Sequence, residues 1–121
     1  FVMRVKEQRT LNLTNKERMN LPHQEMILRE PEERVCNFEE VPIGYTHEQA
    51  VMEASRCLQC RKPECVKACP VGIDIPAFIR LIEMGKPAEA AKKIRETNFL
   101  PAACGRVCPQ DQQCQAVCVV G

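Results

Sequence analysis

The sequence predicts an all-α domain of short helices that its cysteines, rather than a large apolar core, hold together. Three observations lead there. Nine of 121 residues are cysteine, about 7% and close to the range of cysteine-held scaffolds. Ring-bearing core residues are scarce, with four Phe, one Tyr and no Trp, so a chain of one-domain length needs a staple. Helix start and stop signals follow one another from Thr46 onward. Five Gly and 4% aromatics supply neither the turns nor the strand-forming rings of a β-sandwich or barrel.

Residues 1–45 read as an N-terminal arm and linker: charge-mixed, with the single cysteine Cys36 and apolar positions of no lasting period. An extended arm with one short helix around Asn15–Asn20 is expected, and the charged stretch Glu30–Glu33 with its Pro31 suits a linker. Residues 46–121 form the domain. Thr46 and Gln49 make a capping-box pattern, after which Ala50, Val51, Ala54, Cys57 and Leu58 share one helical face. Pro63 starts a short helix carrying Cys65 and Cys69, closed by Pro70 and Gly72. Asp74 caps a third, with Pro76 in its first turn, Phe78, Ile79 and Ile82 as its stripe, and Gly85 at its end. A fourth runs from Pro87 through Ala90, Ala91 and Ile94 to about Asn98, and a last short one follows Pro109. Helices this short are marginal alone.

Seventeen Lys and Arg against sixteen Asp and Glu give a net charge of +1, so no broad charge excess points to nucleic acid or a membrane surface. No apolar run approaches the roughly 18 residues of a spanning helix, and no signal peptide opens the chain. The chain begins at Phe1 rather than Met and stops three residues after Cys118, so it reads as a segment of a longer protein. Neither a dinucleotide or phosphate loop nor a nucleophile–base pair stands out, and no substrate chemistry is expected here.

Eight cysteines fall into two groups, Cys57, Cys60, Cys65, Cys69 and Cys104, Cys108, Cys114, Cys118. Each group ends in a C-x-x-x-C pair and contains a Cys-Pro step, at Cys69-Pro70 and Cys108-Pro109. Three chemistries compete for them. Disulfides would leave one of nine cysteines unpaired and usually link distant segments, whereas these pairs hold sulfurs together on helices. Zinc takes four thiolates, and Cys57/Cys60 with Cys104/Cys108 would serve as two knuckles. Zinc knuckles favour Gly-containing hairpins, however, and zinc gives no reason for the Cys-Pro steps. Cubane iron–sulfur clusters favour the run C-x₂-C-x₂-C-x₃-C-P, whose last cysteine binds the other cluster. Cys57-x₂-Cys60-x₄-Cys65-x₃-Cys69-Pro70 is a stretched version of that run, and eight cysteines suit two clusters.

The stretch Glu53-Ala54-Ser55-Arg56-Cys57-Leu58-Gln59-Cys60 resembles the E-A-x-R-C-L-x-C opening of an α-helical ferredoxin-like domain. That domain is the N-terminal module of the NADPH-dependent glutamate synthase small subunit. Its relatives include dihydropyrimidine dehydrogenase and the large subunit of the bifurcating NADH-dependent ferredoxin:NADP oxidoreductase. The resemblance continues through Pro63-Glu64-Cys65, Cys69-Pro70-Val71 and Ile75-Pro76. It resumes at Asn98-Phe99-Leu100-Pro101, at Cys104 to Gln110, and at Gln113-Cys114 and Cys118, spanning about residues 31–121.

The resemblance implies that Cys57, Cys60, Cys65 and the distant Cys118 hold one [4Fe–4S] cluster. Cys69, Cys108 and Cys114 hold the second, whose fourth ligand in the family is a Gln or Glu further along than Gly121. Cys104 is then either a spare thiol or a substitute ligand. Under this scheme neither cluster assembles from one segment alone, so both act as tertiary cross-links. Without iron and sulfide, the segment from Thr46 on is expected to be largely disordered. The resemblance further implies FAD and NADPH in a following domain. The partner it implies is a redox subunit, most simply the large glutamate synthase subunit with its FMN, which forms L-glutamate from glutamine and 2-oxoglutarate. A pyrimidine-reducing or electron-bifurcating parent is the second reading, and a structural zinc-binding interaction module the third. The expected location is cytoplasmic.

Arg56, Arg61, Lys62, Lys67 and Arg106 flank the ligands, either as charges favouring thiolates or as a solvated rim. Two oxidised all-thiolate clusters, each 2−, would take the chain to about −3. Phe78, Ile79, Ile82, Ile94 and Phe99 are expected to be core and cluster-shielding packing, His23 and His47 surface residues, and Cys36 a free thiol. The charge-mixed arm either packs on a partner or is a mobile tail.

Overall fold

The computed structural model describes residues 12–121, and within them short helices dominate. Helix α1 (Asn15–Met19) is capped by Thr14, with both bonds of a capping box to Glu17. Two short strands, β1 (Ile27–Leu28) and β2 (Pro42–Gly44), pair antiparallel with Ile27 opposite Gly44 and Leu28 opposite Pro42. The ribbon lies within the N-terminal arm, and from His47 onward the elements are helical as expected. Pro42 has no N–H to give, which keeps the ladder short. Between the strands lies α2 (Pro31–Arg34), where a linker is expected. The charged stretch forms a turn of helix because Pro31 takes the first position and Glu32 and Glu33 face the positive end.

Helix α3 (His47–Ala54) starts on the predicted capping box: the Gln49 N–H donates to Thr46 Oγ1 at 3.2 Å, and the Thr46 N–H to Gln49 Oε1 at 2.9 Å. It stops at Ala54, so Cys57 and Leu58 lie beyond the helix rather than on its face. The buried Ser55 hydroxyl donates back to the Val51 carbonyl at 2.8 Å as the helix ends. Replacing Thr46 with alanine is expected to cost about 1 kcal/mol. Urea unfolding should show this as a lower midpoint at unchanged slope, and Thr46→Ser should restore it.

Helix α4 (Glu64–Ala68) follows Pro63 and carries Cys65, with Cys69 as its cap in extended backbone. Helix α5 (Ile75–Glu83) is capped by Asp74, whose carboxylate accepts from the Ala77 N–H at 3.3 Å. It closes at Gly85 (φ 72°), with the Gly85 N–H donating to Ile82 and the Lys86 N–H to Leu81, a paired stop that needs a left-handed residue. Helix α6 (Pro87–Arg95) places Glu89 in its first turn and Lys92, Lys93 and Arg95 in its last, matching the helix dipole. An unforeseen helix, α7 (Pro101–Val107), carries Cys104, and a 3₁₀ turn (Gln110–Gln112) follows Pro109.

Helix α5 packs on α6 and on α3. Among the described residues the buried apolar side chains are Ala54 and Ala90 alone, beside the polar Ser55, Glu83 and Asn98. Phe78, Ile79, Ile82 and Ile94 are half-buried, but Phe99, expected to pack inside, is 88% exposed. Phe99 sits between the buried Asn98 and the start of α7, where no helical period applies and the spacing argument fails. So thin an apolar interior needs a further source of stability.

The arm is docked onto the helices. Arg18 donates to the carbonyls of Ser55 (2.9 Å) and Cys57 (3.2 Å) and sits 2.8 Å from Glu83. The Gln24 N–H donates to Glu53 at 2.8 Å, and the Tyr45 hydroxyl to the Gln24 carbonyl at 2.8 Å. These contacts replace the mobile-tail alternative for residues 12–45.

Candidate metal centres

The first thiol group is built where three chain segments meet. Tight turns after α3 deliver Cys57, its N–H bonded to the Ala54 carbonyl at 3.1 Å. Gln59, with φ 53°, reverses the chain before Cys60. Cys65 comes from α4, and Cys118 from a turn in which its N–H meets the Gln115 carbonyl at 3.0 Å. All four line a cavity of about 460 Å³, whose apolar wall includes Phe78, Ile79 and Ile82 of α5. Cys114 lines the same cavity.

Burial pushes the Cys57 thiol up, and the neighbouring Cys118 and Cys60 thiols push the same way. The Gln59 backbone N–H and the Arg18 charge oppose this. Burial likewise raises Cys65, with Cys118, Cys57 and Cys60 adding to it against the Val66 N–H. Protonated thiols of this kind become ligands only when a metal's positive charge displaces the proton.

The second group joins Cys69, Cys108 and Cys114. Both Cys-Pro steps do the same work: proline excludes the helical conformation from the residue before it. Cys69 (ψ 120°) ends α4 and Cys108 (ψ 127°) ends α7 in extended backbone. Burial raises the Cys114 thiol, its own and the Gln115 N–H groups lower it, and the Cys69 and Cys108 thiols raise it further. The Cys108 thiol donates to Gln113 Oε1 at 3.0 Å. Cys104, one helical turn before Cys108, points its thiol at Asn98 Oδ1 (3.8 Å). Cys36 is exposed and all nine cysteines are unpaired.

The flanking charges divide. Arg56 lines the cavity, donates to the Val120 carbonyl at 3.1 Å and contacts Glu53 and His23. Burial opposes ionisation of Glu53, but bonds from the Gln24 N–H, Arg56 and His23 hold its carboxyl below the usual range. Arg61 and Lys62 are exposed, Lys67 pairs with Glu64 (2.7 Å), and Arg106 grips Glu40 (2.6 and 3.0 Å). Those four form a solvated rim. His47 is exposed, and His23, 58% exposed, sits at the cavity's edge beside Glu53. Arg18, which sequence reasoning overlooked, reaches the Cys57 loop across 39 residues, a separation no local pattern encodes.

The first group fits an iron–sulfur cluster on its own chemistry. Soft thiols border an apolar-walled space, backbone N–H groups face their sulfurs, and Arg56 Nε in the cavity wall is buried without a partner. Among the described residues no three His, Cys, Asp or Glu side chains are gathered closely enough to hold a single metal ion. The second group brings three thiols of the same kind.

Short helices that carry thiols to such sites define a small iron–sulfur domain. The chain belongs to the family described as dihydropyrimidine dehydrogenase domain II, 4Fe-4S cluster, which matches residues 34–121. It is 41% identical over 87 residues to the glutamate synthase [NADPH] small chain of Escherichia coli (strain K12), covering 72% of this chain and 18% of that one. To the same subunit of Azospirillum brasilense it is 40% identical over 88 residues, covering 73% and 18%. To the NAD-dependent dihydropyrimidine dehydrogenase subunit PreT of Escherichia coli (strain K12) it is 44% identical over 81 residues, covering 67% and 20%. The chain thus matches about a fifth of the length of these relatives. Among the described residues no helix is long and apolar enough to cross a membrane.

Proposed function

We propose that this domain holds two [4Fe–4S] clusters and relays single electrons within a cytoplasmic oxidoreductase of the glutamate synthase small-subunit type. What supports the reading is the match to the 4Fe-4S family over residues 34–121, with Cys57, Cys60, Cys65 and Cys118 lining one cavity and Cys69 and Cys108 beside Cys114. Cys57, Cys60, Cys65 and Cys118 hold the first cluster. Cys69, Cys108 and Cys114 hold the second, its fourth ligand lying past Gly121, with Cys104 a spare thiol beside Asn98. Bound there, such clusters accept and release one electron with little rearrangement.

The chain's own part is to bind, shield and bias. Phe78, Ile79 and Ile82 limit water at the first site, and Arg56 and Arg18 offset the negative charge it gathers. Electrons pass between an FAD and NADPH domain of the parent and a redox partner, in this reading the glutamate synthase large subunit. A pyrimidine-reducing parent is the second reading, favoured by the 44% identity to PreT; turnover of the full-length protein together with its redox partner, with glutamine and 2-oxoglutarate against uracil, separates them.

The deciding experiment is iron, acid-labile sulfide and zinc per chain in the full-length protein isolated without oxygen. About eight iron and eight sulfide are expected from two cubanes. About four of each would remove the second site, and zinc without sulfide would overturn the electron-transfer reading.

A further inference from the structure

Gln59 is the one non-glycine residue with positive φ among the described residues, a conformation L side chains avoid. Its side chain shows what holds it there. Nε2 lies 3.0 Å from the Pro76 carbonyl, in the first turn of α5, and 3.5 Å from Cys57 Sγ. A carbonyl oxygen only accepts, so the amide must turn its NH₂ group toward Pro76, leaving the second N–H for the Cys57 sulfur. The Gln59 backbone N–H faces the same sulfur. At the second group the polarity is reversed, with the Gln113 carboxamide oxygen against Cys108.

We propose that the Gln59 side chain is a positioning residue that raises the reduction potential of the first cluster, by donating an N–H to the Cys57 sulfur from a seat fixed on Pro76. The proposal rests on the two-cluster reading above. An N–H dipole aimed at a ligand sulfur stabilises the form carrying more negative charge, and reduction adds one electron to that site. Hydrogen bonds to cluster sulfurs are among the determinants of potential. The left-handed backbone is what turns both donors of one residue onto one sulfur.

The test is an EPR-monitored redox titration of the full-length, cluster-loaded protein carrying Gln59→Met or Gln59→Gly. Methionine keeps the volume without a donor; glycine accepts the positive φ freely and keeps the backbone N–H. In both variants the reduced-to-oxidised ratio of the first cluster at fixed poise should fall about tenfold, a midpoint lower by about 59 mV for one electron. The second cluster should be unmoved. A loaded variant titrating like the wild type, or both clusters shifting together, overturns the proposal. If the methionine variant loses its iron, the glycine variant decides. A wild type without iron and sulfide would instead sink the two-cluster reading itself.

Discussion

Cys118→Ser is expected to remove about half of the iron and sulfide and to loosen the whole domain. Cys118 is the one member of the first thiol group that comes from the end of the chain, and its thiol acts on both Cys57 and Cys65. Serine offers a harder, less acidic donor to an iron that prefers thiolate. Linking Cys118 to Cys57 through a cluster closes a loop of about 60 residues, and a cross-link of that span is worth roughly 4 kcal/mol of unfolded-chain entropy. Against the few buried apolar side chains of this domain, that is a large share of its stability. The matching controls are Cys36→Ser and Cys104→Ser, which should keep full iron and sulfide, since Cys36 is exposed and Cys104 faces Asn98. Metal and sulfide analysis with urea unfolding reads both effects. Full retention of iron in Cys118→Ser would remove Cys118 from the ligand set.

Arg18→Met is expected to cost about 3–5 kcal/mol, the range for breaking a buried pair by removing one partner. The Arg18 and Glu83 side chains are 12% and 4% exposed and 2.8 Å apart. Removing the guanidinium strands a buried carboxylate and frees the Ser55 and Cys57 carbonyls it holds. Glu83 Oε1 has no aligned hydrogen bond despite that proximity, so the charge contact is its main compensation. Combining Arg18→Met with Glu83→Gln should recover most of the loss, because no unpaired charge then remains. Urea midpoints of the loaded proteins give the energies, and amide exchange at Arg56 and Cys57 reports whether the loop opens. A single-variant cost under about 1 kcal/mol, the scale of an exposed pair, would show that the arm does not latch the site.

What could be read in advance depended on range along the chain. Thr46 with Gln49, Asp74 with Pro76 and Gly85 are local devices, each complete within a few residues, and the helices start and stop at them as expected. The Cys-Pro steps are local too: Pro70 is legible as the stop of its helix, and only the matching role of Pro109 after the extended Cys108 emerged from the structure. Helix α7 is hard to read in advance because it is only seven residues long and contains Gly105, a poor helix former. Phe99 shows the opposite error, an aromatic assumed to pack that stands at an exposed junction.

By itself, the sequence determined the run of short helices, the lack of aromatic core and the candidate thiols, because caps, stops and cysteine spacing act over a few bonds. Only the tertiary structure decided which thiols become neighbours, that Arg18 from the arm holds the Cys57 loop, and that Gln59 reaches from a strained turn to Pro76 and Cys57. Those contacts join residues far apart in the chain, and their geometry follows from how α3, α5 and α6 pack, which no local pattern of residues encodes.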